Sequence, residues 1–306
     1  MAWGARILCF VLLTAGAAHA AKLVIVGGEA GPAHQETAQA IVTEFERQRV
    51  PGLEVVQLKV AEIRAVADAA PTLVVTLGSD AALALVRLEI RAPVLCALLP
   101  RRSFEEVLLA GARKASSEFS ALYLDQPLAR QIELIRLALP SAKRIGVLLG
   151  PESRRQGRVL STLLQGGGLQ LVEASVAGGE AIFSGLRRIL EDADVLLALP
   201  DPEVYNSNSI QNILLSSFRA RVPLVAFSPA YVRAGALMAL YATPTQVGAQ
   251  TAAMARSVVQ GKALAPTPQY LQEFSVVVNE HVARSLGLSL DATRLAAQLR
   301  RKEFGP

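Results

Sequence analysis

Two arginine pairs are the residues of this chain best suited to hold a charged molecule. Arg101 with Arg102 follows the apolar run 93–99, and Arg154 with Arg155 follows the run 144–150. Guanidinium groups present forked N–H donors, so pairs placed after two strands can clamp a carboxylate or phosphate. They suit a solvated helix face or a docking surface equally well. Other candidates occupy the same kind of place: Gly28 after 23–26, Ser79 and Asp80 after Gly78, and Ser153 after Gly150 and Pro151. Asp201, Tyr205 and Asn206 follow Pro200, and Ser228 and Tyr231 follow Phe227. A loop that leaves a strand and opens a helix directs free backbone N–H groups past the strand end and favours an anion there. Ser79 therefore either binds a ligand carboxylate or caps its helix. Asp201 either receives a ligand ammonium or caps. Tyr205 and Tyr231 supply aromatic walls or pack a core, with Tyr241 the next choice for the wall.

Several chemistries are excluded. The sequence has no GxSxG elbow, no P-loop, no HExxH, and no GxGxxG, because Gly27, Gly28 and Gly31 do not have that spacing. Cys96 lies inside an apolar run, as a buried inert thiol does. His34 and His281 have no cysteine cluster beside them that would make a zinc or haem site. No pair of titratable groups stands out for acid–base work, so the expectation is a binding protein rather than an enzyme, without metal or cofactor. The net charge of +5 comes from scattered residues rather than a basic tract with aromatic platforms, which argues against nucleic acid as a partner.

These residues must be positioned by elements, and the pattern of elements is regular. The first twenty residues stand apart: Arg6, an apolar run over 7–13, then small residues ending in Ala18, His19 and Ala20. This reads as a secretory signal peptide cleaved after Ala20, and so as a periplasmic protein; the apolar run is too short for a span of roughly 20 residues. Cys9 lies within the run rather than after the small residues at its end, a poor place for a lipidated terminus. Without 1–20 the chain has 30 basic less 26 acidic residues, a charge of +4, and Cys96 alone of its cysteines, so no internal disulfide.

The 306 residues are 52% hydrophobic but only 5% aromatic, a composition of Val, Leu and Ala that suits strands covered on both faces. Short apolar runs alternate with amphipathic stretches: strands at 23–26, 53–60, 72–78, 93–99 and 121–124, then 144–150, 169–176, 194–200, 224–228 and 235–241. Helices are expected over 34–49, from 79, from 103, and over 153–166, 179–190, 204–220 and 244–260. Such alternation builds parallel sheets through right-handed crossovers, and two series imply two doubly wound α/β lobes joined by hinge strands. The lobes are expected to cover 21–124 with a returning segment near 242–270, and 125–241 with a C-terminal segment near 271–300. The junction falls at 124–127, and the cleft between lobes is where strand ends face one another.

The segments LALPSAKRIGVLLGPES (137–153), DADVLLALPDPEVYNSNSI (192–210), PLVAFSPAYVRAGALMALY (223–241), QVGAQTAAMARSVVQGKALAPTP (246–268) and FSVVVNEHVARSLGL (274–288) carry a resemblance, joined more loosely by APTLVVTLGSDAAL (70–83). Together they resemble the periplasmic substrate-binding proteins of ABC importers, in the group that includes tryptophan- and tyrosine-binding proteins. The resemblance implies a type I periplasmic-binding-protein fold and a monomer that hands a small-molecule ligand to an ABC-type permease. A sensor kinase or outer-membrane receptor is the alternative partner. It places the loops of Ser153, Asp201, Tyr205 and Asn206 at the cleft. Where family members have Asp-Pro and later Thr-Gly, this chain has Pro100, Arg101 and Arg102, then Ser120 and Ala121. If Ser79 and Asp201 face one another from opposite lobes, the ligand is a zwitterion such as an amino acid; if the arginines dominate, it is an anion.

Overall fold

Runs such as Leu73–Leu77 and Val94–Leu99 carry apolar residues without alternation, and strands of that kind are stable only when helices cover both faces. A computed structural model, which describes residues 21–177 and 179–305, shows that cover on two sheets. The expected leader, 1–20, lies outside the described residues.

The first sheet takes β1 (Ala21–Val26), β2 (Leu53–Leu58), β3 (Leu73–Leu77), β4 (Val94–Leu99) and β5 (Phe119–Tyr123). They alternate with α1 (Pro32–Gln48), α2 (Ala65–Asp68), α3 (Ser79–Val86) and α4 (Arg101–Ala110). The second sheet takes β6 (Arg144–Leu149), β7 (Gln170–Ser175), β8 (Val195–Leu197), β9 (Leu224–Ala226) and β10 (Met238–Tyr241). Its helices are α5 (Leu128–Ala138), α6 (Arg154–Gln165), α7 (Glu180–Asp192), α8 (Ile210–Arg219) and α9 (Pro229–Ala234). The chain then returns through α10 (Pro244–Val259) and β11 (Gln269–Tyr270), and leaves again through β12 (Ser275–Val278), α11 (Glu280–Ser285) and α12 (Ala292–Phe304).

The strand orders are β11-β5-β4-β3-β1-β2 and β12-β10-β9-β8-β6-β7. Every pairing is parallel except β10 with β12, which is antiparallel. Val247, Ala252 and Ala255 of α10 join Leu23, Ile25 and Ile41 in one core, which is why the chain returns to the first lobe. The approach is close at Gly248, where a Cβ would stand 2.5 Å from the Ala40 Cβ. The capping box of Thr243 and Gln246 starts α10 as the chain crosses. The chain thus passes between the sheets three times, at 124–127, 242–243 and 271–274.

One buried cation fastens two of these crossings. The Arg130 side chain, 3% exposed, donates from Nε and Nη2 to the two Glu303 oxygens at 2.5 and 2.6 Å. Its Nη1 donates to Gln126 Oε1 at 2.6 Å and to the Leu271 carbonyl at 2.9 Å, and the guanidinium lies 4.6 Å from the Phe274 ring centre. Gln126 belongs to the first crossing; Leu271 and Phe274 belong to the third.

Candidate functional site

The carboxyl ends of both sheets meet around the crossings and enclose a cleft of about 510 Å³. The first lobe lines it with Pro100, Arg101, Arg102, Glu105 and Tyr270, and the crossings supply Asp125, Gln126 and Ala242. The second lobe supplies Glu152, Arg155, Gln156, Phe227, Ser228 and Tyr241. The first-lobe rim is set by an irregularity at the end of β4. Its register with β5 shifts between Cys96 and Leu99, and Leu98 has φ +57, so the strand bends before Pro100 opens α4.

The N-terminus of α4 is already occupied by the chain itself: the Asp125 carboxylate accepts from the Arg101 backbone N–H. Burial pushes the Asp125 carboxyl above its ordinary value, opposed by that N–H. The Tyr270 hydroxyl and the Glu105 carboxylate, 2.9 Å from Arg101 Nε, keep the Arg101 guanidinium charged. Tyr270 packs edge-on to Tyr123, whose phenol burial pushes up to about 12. Arg102 pairs with Glu106 at 3.1 Å, whereas Arg155, across the cleft, has no ion pair among the described residues. Glu152 is raised, first by burial and then by Asp201 and Glu106, and Arg102 opposes this across the cleft.

Of the residues singled out from sequence, Arg101 and Ser228 line this cleft, as do Tyr241 and, from the arginine pairs, Arg102 and Arg155. Asp201 does not. It is 2% exposed, and its Oδ2 accepts from Ser153 N and Ser153 Oγ, each at 2.8 Å, and from Glu152 N at 3.1 Å, while Oδ1 accepts from Glu203 N at 3.1 Å. Asp201 and Ser153 therefore staple the loop before α6 to the loop after β8, and the carboxylate is buried behind the lining rather than turned into the cleft. Gly150 is required beside them, since a Cβ there would lie 2.5 Å from Asp201 Oδ2.

Asn206 is likewise internal. Its Oδ1 accepts from Asn208 N and Ser209 N and its Nδ2 donates to the Pro202 carbonyl, a set of turns that delays α8 to Ile210 instead of the expected 204. Tyr205 is 4% exposed and packs on Phe227, which packs on Tyr231, and the Tyr231 hydroxyl donates to the Tyr205 carbonyl. Phe227 is the member of this cluster that reaches the cleft. In the first lobe Gly28, Ser79 and Asp80 lie outside the lining. They follow β1 and β3, which the sheet order sets further from the crossings than β4 and β5. Ser79 and Asp201 do stand on opposite lobes, but neither lines the space between them.

Asp125, Gln126, Gln156 and Tyr270 went unnoticed in the sequence. The first two fall in the segment read as a junction, and a short hinge of mixed residues gives no periodic signal. Among the described residues no group of His, Cys, Asp or Glu is arranged to hold a metal ion, and no helix is long and apolar enough to cross a membrane. Cys96 is buried, which pushes its thiol up to about 12.

Residues 54–298 match the model of a family described as ABC transporter substrate binding protein. No curated protein sequence matches the chain. Among solved structures, the ligand-free, open form of a substrate binding protein with adhesive properties from Clostridium difficile has TM-score 0.74 and 18% identity, covering 89% of this chain and 96% of that one. A conserved domain protein from Vibrio cholerae O1 biovar El Tor has TM-score 0.59 and 22% identity, covering 90% and 98%. The ABC domain of a Streptococcus protein in complex with L-Trp has TM-score 0.58 and 18% identity, covering 90% and 97%.

Proposed function

Because the chain belongs to the family of ABC transporter substrate-binding proteins, with the two-lobed type I periplasmic-binding-protein fold, we propose that its inter-lobe cleft captures a small solute in the periplasm and delivers it to an importer's permease. The observation that carries the reading is the lining itself, drawn from both lobes and from the first two crossings. A solute touching both banks favours the closed arrangement over the open one, and its binding energy drives the lobes together. Small-angle scattering tests this: saturating solute shrinks the radius of gyration, and an unchanged profile at saturation rules out closure.

The charges in the lining favour an amino-acid-like solute. Arg155 is free to take a carboxylate and Asp125 to take an ammonium, while Phe227 and Tyr241 offer apolar contact. Asp125 thus fills the role that sequence alone gave to Asp201. Asp125→Asn is expected to weaken binding of L-tryptophan, the first probe, by about 10- to 100-fold, the usual effect of losing a charged hydrogen-bond partner. Titration calorimetry reads this directly, and unchanged affinity removes Asp125 from the site.

The pH dependence has a definite sign. A protonated Asp125 no longer carries the charge that holds an ammonium, so affinity falls as pH is lowered, and burial makes the fall begin higher than for an ordinary aspartate. The free protein behaves oppositely. With its folded pKa above the unfolded value, Asp125 contributes stability that is present at low pH and lost as pH rises through the folded pKa.

A further inference from the structure

Gln126 carries a polar group that the protein leaves unused. This residue of the first crossing is 7% exposed and lines the cleft. Its Oε1 accepts from Arg130 Nη1 at 2.6 Å, and its backbone oxygen accepts from Gln131 Nε2 at 3.1 Å. A guanidinium only donates, so Arg130 fixes the amide with its oxygen inward and its NH2 turned away. That NH2 is buried and has no hydrogen-bond partner. Native structures rarely keep such a donor without a purpose. Arg130 cannot turn to relax it, because Glu303 grips two of its nitrogens and Phe274 stacks on its face. From α6, Gln156 lines the same cleft, and its Oε1 is also buried without a partner.

We propose that Gln126 determines specificity by donating from its NH2 to an oxygen acceptor on the solute, a carboxylate, carbonyl or hydroxyl oxygen. Arg130 is the positioning residue that prevents the amide from presenting its own oxygen instead. Gln156 Oε1 takes a donor of the same solute, so the site selects molecules that pair an acceptor with a donor. The inference rests on the cleft reading above and deepens it. A solute that offers only a donor to the Gln126 amide is rejected, because two N–H groups then point at each other.

Gln126→Glu is the discriminating variant. It keeps the shape of the side chain and the acceptor facing Arg130, now charged, and replaces only the NH2 by a second oxygen. A purely structural role for Gln126 predicts a protein at least as stable with solute retained. Wild type and variant are each incubated with an equimolar mixture of the twenty proteinogenic L-amino acids and, separately, with a small-molecule filtrate of periplasmic extract, then desalted and read by native mass spectrometry. The expected result is an unchanged or higher melting temperature with occupancy at least ~10-fold lower. Equal occupancy overturns the role of Gln126 and leaves the cleft reading standing; a wild type that retains nothing from either source removes both. Should Gln126→Glu not fold, Gln126→Met gives the same readout. In Arg130→Met the amide is free to turn, so the variant retains a wider set of solutes from the mixture, and an unchanged set refutes the positioning role.

Discussion

Replacing Glu303 by alanine lowers the unfolding free energy by about 3–5 kcal/mol, more than any exposed ion pair of this protein can account for. The reason is the partner left behind. Arg130 is 3% exposed and permanently charged, and without Glu303 it retains only the Gln126 amide and the Leu271 carbonyl as acceptors. The opposite truncation is milder. In Arg130→Met the apolar stem still covers Phe274, and Glu303, 30% exposed, turns its carboxylate to water. The expected loss there is about 1–2 kcal/mol, so the two halves of one ion pair give unequal effects. Urea unfolding of both variants decides the matter, and equal losses or the reverse order contradict it.

Asp201→Ala is expected to destabilise the second lobe by about 3 kcal/mol while leaving the affinity of the folded protein for its solute within about 3-fold. The carboxylate accepts three backbone N–H groups and the Ser153 hydroxyl, and the two Ser153 donors are fully buried, where water replaces the lost acceptor poorly. Because the aspartate is buried behind Glu152 and Pro200 and does not itself line the cleft, the loss appears in the melting temperature rather than in calorimetric affinity. Asp125→Asn shows the reverse pattern. A variant of Asp201 that folds as wild type does and loses binding would restore the ligand role read from sequence.

The two aspartates show why the fold was legible in the sequence and the site much less so. Apolar runs and turn residues recur at fixed intervals, and burial of a parallel strand on both faces leaves no other composition open to it, so β1, β3, β4 and β6 can be read almost to their ends. The tight turns at Asn206 and Ser209 are local too, yet they look like a helix start until the chain is seen to pause there. Helix α5 was passed over because Leu128–Ala138 follows a junction without a strand between them. An aspartate after a strand looks the same whether it faces a cleft or a serine. Asp201 differs from Asp125 only through Ser153, 48 positions earlier, and the order of strands in each sheet. Gly28 and Ser79 were misplaced for the same reason: sequence tells that a loop follows a strand, but not whether that strand lies beside the crossings or at the far side of the sheet.

The returning segment also sets a timetable for folding. The edge of the first sheet is incomplete until Gln269 and Tyr270 reach Leu122 and Tyr123, and the core around Ile25 and Ile41 waits for Val247 and Ala255. Neither lobe is a continuous stretch of chain, so no stable unit forms while the first half alone has been synthesised, and contacts of such long sequence separation close slowly. A polypeptide with this topology carries both sheets unfinished through most of its synthesis.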